Sequence, residues 1–570
     1  MLRRFLPAAA LPLIAACATL PADHPCCAPP AAAPQVGLVS AADPRAVEAG
    51  MAMLRQGGSA TDAAIATMLA LTVVEPQSSG IGGGGFYVHG DAAGHVDTID
   101  GREKAPAGAT GEWFFGPDGK PLPFPQAQAS GLSVGVPGNL RLAEKAHAEH
   151  GRLAWAKLFA PAIALARGGF EITPRLHDAL DTGRATGARD ADGRALFYGA
   201  DGQPLAVGAT VRNPELAATL ERLAKGGVDG FYNGPVATAL AAEVAADTPR
   251  PRPMNPGDLA AYTAPERAPV CGTYRTYRIC GMGPPSSGAT TVYAILKQLE
   301  RFDLKALGPH NPTFWHLFAE SQRLAYVDRE KFSADADFIT VPVAGMTDPA
   351  YLAARGALIA PDRTMSTVTA GPVPGGIALA DGDEPEEHGT SHFVTIDKWG
   401  DAVSYTSTIE SVFGSGLVYG GFYLNNELTD FSNVPTMNGV MVANRVEGGK
   451  RPRSSMSPTL VYDADGHLVV AVGAAGGATI PVQTAKNLIA MLDFGLTPQQ
   501  ALALPVMFSP ADTVYLEQGS SLAAMAPALR ALGHKVEERV LPLKANAAMR
   551  VSGEWVGAAD PRSEGTWKSN

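Results

Sequence analysis

The sequence predicts an α+β fold, and three observations lead there. Helical periodicity recurs through the first two-thirds of the chain. The character changes near residue 365, where a Gly/Pro-rich and then acidic stretch begins. From Thr390 onward, short alternating segments of strand type take over. With 570 residues, 46% hydrophobic and 18% charged, the chain has ample material for a large buried core and does not read as disordered. Its 63 Gly and 46 Pro predict many tight turns and backbone-lined pockets. The net charge is −11 and no basic patch dominates, which argues against nucleic acid as a partner.

Met1–Arg4 is a short basic segment, and Phe5–Ala16 is an apolar run too short to cross a bilayer as a helix. The run ends Leu13-Ile14-Ala15-Ala16-Cys17. Small residues before a Cys resemble a bacterial lipoprotein cleavage box, with Cys17 as the lipidated first residue. Ordinary cleavage after small residues, leaving a soluble periplasmic protein, is the alternative. In both readings residues 1–17 are an export signal, residues 18–35 are a Pro/Ala-rich tether, and the mature protein is exported and periplasmic. A membrane is met only through the lipid anchor, because Gly, Pro or charge interrupts every later apolar run.

After the tether, Val36–Ser40 reads as a strand. Asp43-Pro44 gives an N-cap with Pro at the first helical position, and the helix runs to about Arg55 before Gly57-Gly58. Ser59-x-x-Asp62 is a capping-box-like start for a second helix, Ala60–Val73. Helical patterns recur at 139–148, 154–166, 214–225, 235–246, 289–302, 312–325, 481–492 and 522–532. Ser366–Gly389 reads as an exposed, mobile loop ending in the acidic run Asp381–Glu387. Thr390–Asp397 then alternates like a half-buried strand, Lys398–Gly400 turns, and Ala402–Thr408 returns. Further strands are expected at 421–425, 458–463 and 467–472. A loop feeding a Thr at the very start of a strand suits self-cleavage, since it brings its last peptide bond to the strand tip without burying it.

Of the five Cys, Cys26 and Cys27 lie in the tether, while Cys271 and Cys280 flank a strand-like alternation. In an oxidising compartment Cys271 and Cys280 either pair as a local disulfide or stay as two thiols; a nine-residue spacing leaves both open. No metal-ligand spacing appears, the 12 His are scattered, and no cofactor is expected.

Several motifs occur in one order. They are Gly57–Ala64, the Gly-rich Glu75–Phe86, Gly101-Arg-Glu-Lys-Ala-Pro106, Thr390-Ser-His392, Asn425–Phe431, Lys450–Pro458, Gly473–Gly477 and Asp560-Pro-Arg562. Together they resemble the γ-glutamyltranspeptidase family over nearly the whole chain after the tether. The resemblance implies an αββα sandwich of the N-terminal-nucleophile hydrolase type. It also implies a precursor cut between Gly389 and Thr390 into a large chain (36–389) and a small chain (390–570) that stay together as a heterodimer. Thr390 is then both nucleophile and, through its freed α-amine, general base. Thr408 is placed to hydrogen-bond the nucleophile, and Gly476-Gly477 to form an oxyanion hole from backbone N–H groups.

The implied donor is glutathione or a related γ-glutamyl compound, and the acceptor is water, an amino acid or a peptide. Arg102, with Ser454 and Ser455, would hold the donor's α-carboxylate, and Glu427 and Asp430 its ammonium. Glu410 stands where better-known members carry Asn, and adds negative charge to the site. The segment Asn433–Gly449 is shorter than in members with a Tyr-bearing lid and contains no Tyr, so a more open site favouring hydrolysis is expected. His392 reads as structural. The rival readings are a glutaryl or cephalosporin acylase on the same scaffold, and a non-catalytic lipoprotein that keeps the fold as a binding module.

Overall fold

A computed structural model describes residues 36–248, 253–382 and 389–569. The expected export segment with Cys17, the expected tether to residue 35, and residues 383–388 before Thr390 lie outside the described residues.

Two six-stranded antiparallel sheets form the centre. Their strands, in chain order, are β1 (Gly37–Ala41), β2 (Gly84–Gly90), β3 (Val96–Gly101), β4 (Val270–Tyr274), β5 (Tyr277–Gly281) and β6 (Ser391–Asp397), followed by β7 (Ala402–Thr408), β8 (Thr459–Tyr462), β9 (Leu468–Ala475), β10 (Lys544–Val551), β11 (Glu554–Ala559) and β12 (Thr566–Ser569). The first sheet runs β12-β1-β6-β7-β2-β3, and the second β11-β10-β9-β8-β5-β4. They face each other through β9 and β10 against β6 and β7.

Helices α1 (Pro44–Arg55), α2 (Ala60–Val74) and α3 (Asn139–His150) cover the outer face of the first sheet. Helices α4 (Gly288–Leu299), α5 (Pro312–Phe332) and α6 (Ile480–Leu492) form the outer layer of the second. The molecule is thus the four-layer αββα sandwich that the resemblance implies.

Local chemistry explains the first layer. Asp43 caps α1 by accepting from the Arg45 amide, with Pro44 at the first helical position. Ser59 and Asp62 form a reciprocal capping box on α2, all of whose residues are buried. Asp397, at the end of β6, accepts from the Ala60 amide at 2.9 Å and ties the start of α2 to the central strand.

Some expectations need correction. β6 is buried on both faces rather than half-buried: Val394 and Ile396 enter the core between the sheets, while Phe393 packs under α2. The stretch between the two Cys is a hairpin, not one strand. Arg275, at φ 54°, turns the chain so that β4 and β5 pair, with Cys271 directly opposite Cys280 and the two sulfurs bonded. The segment 421–425 contributes only the short pairing of Phe422–Tyr423 with Val418–Tyr419. Residues 522–532 divide into a 3₁₀ segment, Ser521–Met525, and a short helix, Ala526–Ala531.

Candidate active site

Thr390 stands at the tip of β6, beside the end of β7. Its hydroxyl donates to the Thr408 hydroxyl at 3.1 Å, and Thr408 Oγ1 also accepts from the Glu410 amide at 2.8 Å. The Thr390 amide donates to the Ser78 carbonyl at 3.1 Å, so the peptide bond from Gly389 is held against the Gly-rich segment. Thr390 has φ 110°, a region that β-branched residues rarely occupy. Gly389 is equally constrained, because a Cβ there would lie 1.7 Å from the Glu410 carbonyl oxygen. The bond between these residues is therefore pinned in a strained backbone at the strand tip.

On one side of Thr390 lies a small, tightly closed pocket lined by Arg102, Thr408, Glu410, Glu427, Asp430, Ser454 and Met456. Arg102 follows directly on β3, and its backbone is fixed by Asp100, which accepts from its amide, and by the Tyr262 hydroxyl, which donates to its carbonyl at 2.7 Å. Its guanidinium pairs with both Glu427 and Asp430 and donates to the carbonyls of Pro452 and Arg453. Glu427 and Asp430 leave one 3₁₀ turn (Glu427–Asp430) on the same side. Asn425 anchors that turn: its side chain accepts from the Glu427 amide and donates to the carbonyls of Gly82 and Gly135. Glu410, at φ 73°, accepts from the Asn426 amide group and the Ser411 hydroxyl.

The structure brings Thr390, Thr408, Arg102, Glu410, Glu427, Asp430 and Ser454 to this one pocket. It turns Ser455 away: its hydroxyl accepts from Arg329 at 2.8 Å. The expectation of an open site does not hold for this pocket. All of its lining residues are buried, because Arg102 draws the two acids of the turn onto itself. The open space is on the other side of Thr390. There a cleft of about 630 Å³ is lined by Gly389, Gly476, Ser78, Arg175 and Lys544 among others. Gly476 takes φ 122° and Gly477 φ 56°, at the turn from β9 into α6, where Gly476 packs against the Pro542 carbonyl.

Sequence reasoning missed two groups. Glu103 is fully buried beside Arg102, and burial pushes its carboxyl up to about 7 despite the guanidinium. Burial also raises the Glu427 carboxyl well above its usual range, with Glu103 and Glu410 adding repulsion. Four carboxyls around one guanidinium cannot all stay ionised without a further cation. The second group is Glu75 and Lys544, which pair at 3.1 Å behind the nucleophile. Ser391, next to Thr390, donates to Glu75 at 2.6 Å, and Lys544 donates to Ser391 at 3.2 Å. Burial lowers the Lys544 amine to about 8. Glu103 sits inside the Arg102 motif, where its neighbour's signal covered it; Lys544 lies 154 residues from Thr390 in a stretch without a motif.

His392 is buried between the sheets, its Nδ1 is 2.9 Å from the Thr406 hydroxyl, and burial pushes its pKa down to about 3. It is a neutral packing group.

A family model described as gamma-glutamyltranspeptidase matches residues 46–569. The chain is 35% identical over 511 residues to a glutathione hydrolase proenzyme of Bacillus subtilis (strain 168), covering 88% of this chain and 85% of that one. It is 35% identical over 538 residues to a glutathione hydrolase proenzyme of Escherichia coli (strain K12), covering 92% and 90%. Among solved structures it is similar to a cephalosporin acylase from Bacillus halodurans, with TM-score 0.81, 26% identity, and 96% and 98% of the two chains covered. With a Thr at the tip of a central strand of an αββα sandwich, and a match over nearly its whole described length, this chain belongs to the γ-glutamyltranspeptidase family of N-terminal-nucleophile hydrolases.

Proposed function

We propose that the chain is a precursor that cuts itself at Gly389–Thr390 and then transfers γ-glutamyl groups from glutathione and related amides to water, amino acids or peptides. The observation that carries this is the mixed charge of the pocket beside Thr390, one guanidinium facing the carboxyls of Glu410, Glu427 and Asp430. An α-amino acid head offers both signs of charge. Its carboxylate takes the guanidinium edge that Glu427 and Asp430 hold in the free protein, and its ammonium takes the released acids. The exchange leaves no buried charge unpaired, which is the costly condition.

In the maturation step, the Thr390 hydroxyl attacks the Gly389 carbonyl and the C–N bond breaks as the ester forms. That break frees the Thr390 α-amine, and water then hydrolyses the ester to the Gly389 carboxylate and the free Thr390 hydroxyl. In the catalytic cycle that amine, with a pKa of about 8 when unperturbed, takes the hydroxyl proton as Oγ1 attacks the donor's γ-carbonyl. The amides of Gly476 and Gly477 stabilise the oxyanion, and the proton passes to the leaving amine. Water or an acceptor amine, arriving through the open cleft, resolves the acyl-enzyme. Arg102 and Ser454 hold the donor's carboxylate, Thr408 orients the nucleophile, and Ser455 accepts from Arg329.

Intact mass and N-terminal sequencing of wild type beside Thr390→Ala test the first half. Wild type is expected to yield a second chain starting Thr-Ser-His-Phe, and the variant to stay whole and inactive. An uncut wild type would move the non-catalytic binding module to the front.

The second reading, a glutaryl or cephalosporin acylase, is favoured by the similarity to the cephalosporin acylase structure. A glutaryl group lacks the ammonium, however, and would leave the acids released from Arg102 without a partner. We therefore expect kcat/KM on γ-glutamyl p-nitroanilide to exceed that on glutaryl p-nitroanilide by at least about 100-fold, equivalent to about 3 kcal/mol of transition-state binding. Equal rates would favour the acylase. The open cleft on the leaving-group side gives water ready access, so glycylglycine is expected to raise the initial rate only slightly.

A further inference from the structure

At the other end of β2, His89, Asp97 and His150 come together from three elements: β2, the edge strand β3, and the C-terminal residue of α3. His89 and Asp97 are direct cross-strand partners. His89 Nδ1 lies 3.6 Å and His150 Nε2 3.7 Å from the same oxygen, Asp97 Oδ2, and the three ligand atoms all fall within 4.8 Å of one another. Those separations are too long for hydrogen bonds. Both imidazole nitrogens are buried and have no hydrogen-bond partner, although the His89 side chain is only 6% exposed. Buried polar atoms without partners are uncommon and mark strain or a missing ligand.

We propose that His89, Asp97 and His150 form a binding site for a borderline divalent metal ion of the Zn2+ class. Ligand bonds of about 2.0–2.2 Å in a tetrahedral shell place neighbouring ligand atoms about 3.3–3.5 Å apart, so the two separations to Asp97 Oδ2 need contraction by only a few tenths of an ångström, and the two imidazole nitrogens must be brought together from within 4.8 Å. Two imidazoles and one carboxylate are a donor set that suits zinc. The two rings stack at 3.9 Å with planes 19° apart, and loading turns His150 out of that stack so that the lone pairs converge. His150 can turn because it ends its helix and its side chain is 21% exposed. The fourth position is open to water or to Glu149, whose Oε2 lies 3.9 Å from His150 Nε2. The ion would pin the edge strand β3 and the end of α3 to β2. It stands apart from the acyl-transfer site: Gly84, which pairs with Thr408, is five residues from His89 along β2, about 17 Å at strand spacing.

The test is isothermal titration of the chelator-stripped, tag-free full chain with ZnCl2, beside Asp97→Asn and His150→Gln. Asp465→Asn, in the exposed cluster Asp463, Asp465 and His467, serves as control. The expected result is one zinc bound in this site. Each of the two ligand variants weakens it at least tenfold, the control leaves it unchanged, and a zinc-dependent rise in Tm is lost with the ligand variants. Hydrolysis of γ-glutamyl p-nitroanilide should be the same in Asp97→Asn as in wild type, which verifies that the variant is folded. Binding that survives both ligand variants, follows the control instead, or is absent from wild type overturns the proposal.

Discussion

Arg102 and the acids around it show how a buried charge cluster can be stable and yet poised for a ligand. The guanidinium is 1% exposed and pairs with Glu427 and Asp430, so removing either acid would leave charge uncompensated. Glu103 is the surplus carboxyl, and with its pKa at about 7 it keeps its proton in the folded protein where an unfolded chain has lost it. Between about pH 4.5 and 7 the unfolded state therefore binds fewer protons than the native state, and stability falls as pH rises. The contribution is fully present below the unfolded pKa and is lost as pH passes the folded one. It is of the order of 3 kcal/mol, and burial raises the neighbouring Glu427 carboxyl in the same direction. Glu103→Gln is expected to flatten the Tm profile over this window and to raise Tm above pH 7 relative to wild type. Thermal unfolding at half-unit pH steps measures this, and a parallel profile in the variant would mean that Glu103 is ionised in the fold.

At the level of single elements, the meeting of β6 and β9 is a tight constraint. The imidazole of His392 on β6 fills the space over Gly473 on β9, where a Cβ would come within 2.4–2.7 Å of three ring atoms. The imidazole is fixed to Thr406 and walled in by both sheets, so it cannot step aside. Gly473→Ala is expected to destabilise the protein by about 1–3 kcal/mol through overpacking, read as a lower denaturation midpoint. Activity per folded molecule should be largely kept, because the clash lies three residues before Gly476.

The same strands show what local pattern can reveal. Helices with an explicit cap, such as α1 behind Asp43-Pro44 and α2 behind Ser59-x-x-Asp62, were legible almost to the residue. β2 was hidden in the Gly-rich signature, and β3, β10, β11 and β12 were not read as strands. In β2, covered on both faces, burial falls on every residue and the alternation that marks a strand disappears, while the edge strand β12, four residues long, buries none of its residues and carries no alternation to read. Motif order singled out Thr390, Thr408, Arg102, Glu410, Glu427, Asp430 and Ser454, and the fold brings them to one pocket. What sequence order could not display was contact across the fold: Glu75 with Lys544, or His89 with Asp97 and His150, meets only once the sheets are built.

For the whole molecule, strand order decides what self-cleavage can do. β6 and β7, which follow Thr390, lie in the middle of the first sheet between β1 and β2, which precede it. In the second sheet β8, from after Thr390, pairs with β5, from before it, through four registered residue pairs. Both pieces therefore contribute to both sheets and to the core between them, and cutting one peptide bond at the tip of β6 removes no ladder hydrogen bond. Separating the pieces would expose Val394, Ile396, Leu460 and Val472, and would strip both sheets to unpaired edges, at a cost approaching that of global unfolding. The cut enzyme is thus expected to elute from gel filtration under native conditions at the volume of the uncut Thr390→Ala variant, and to give two bands under denaturing conditions. Unfolding in urea should lose both chains' structure in one transition, with no folded large or small chain left behind. Recovery of either chain alone in a folded state would show that the shared sheets do not hold the halves together.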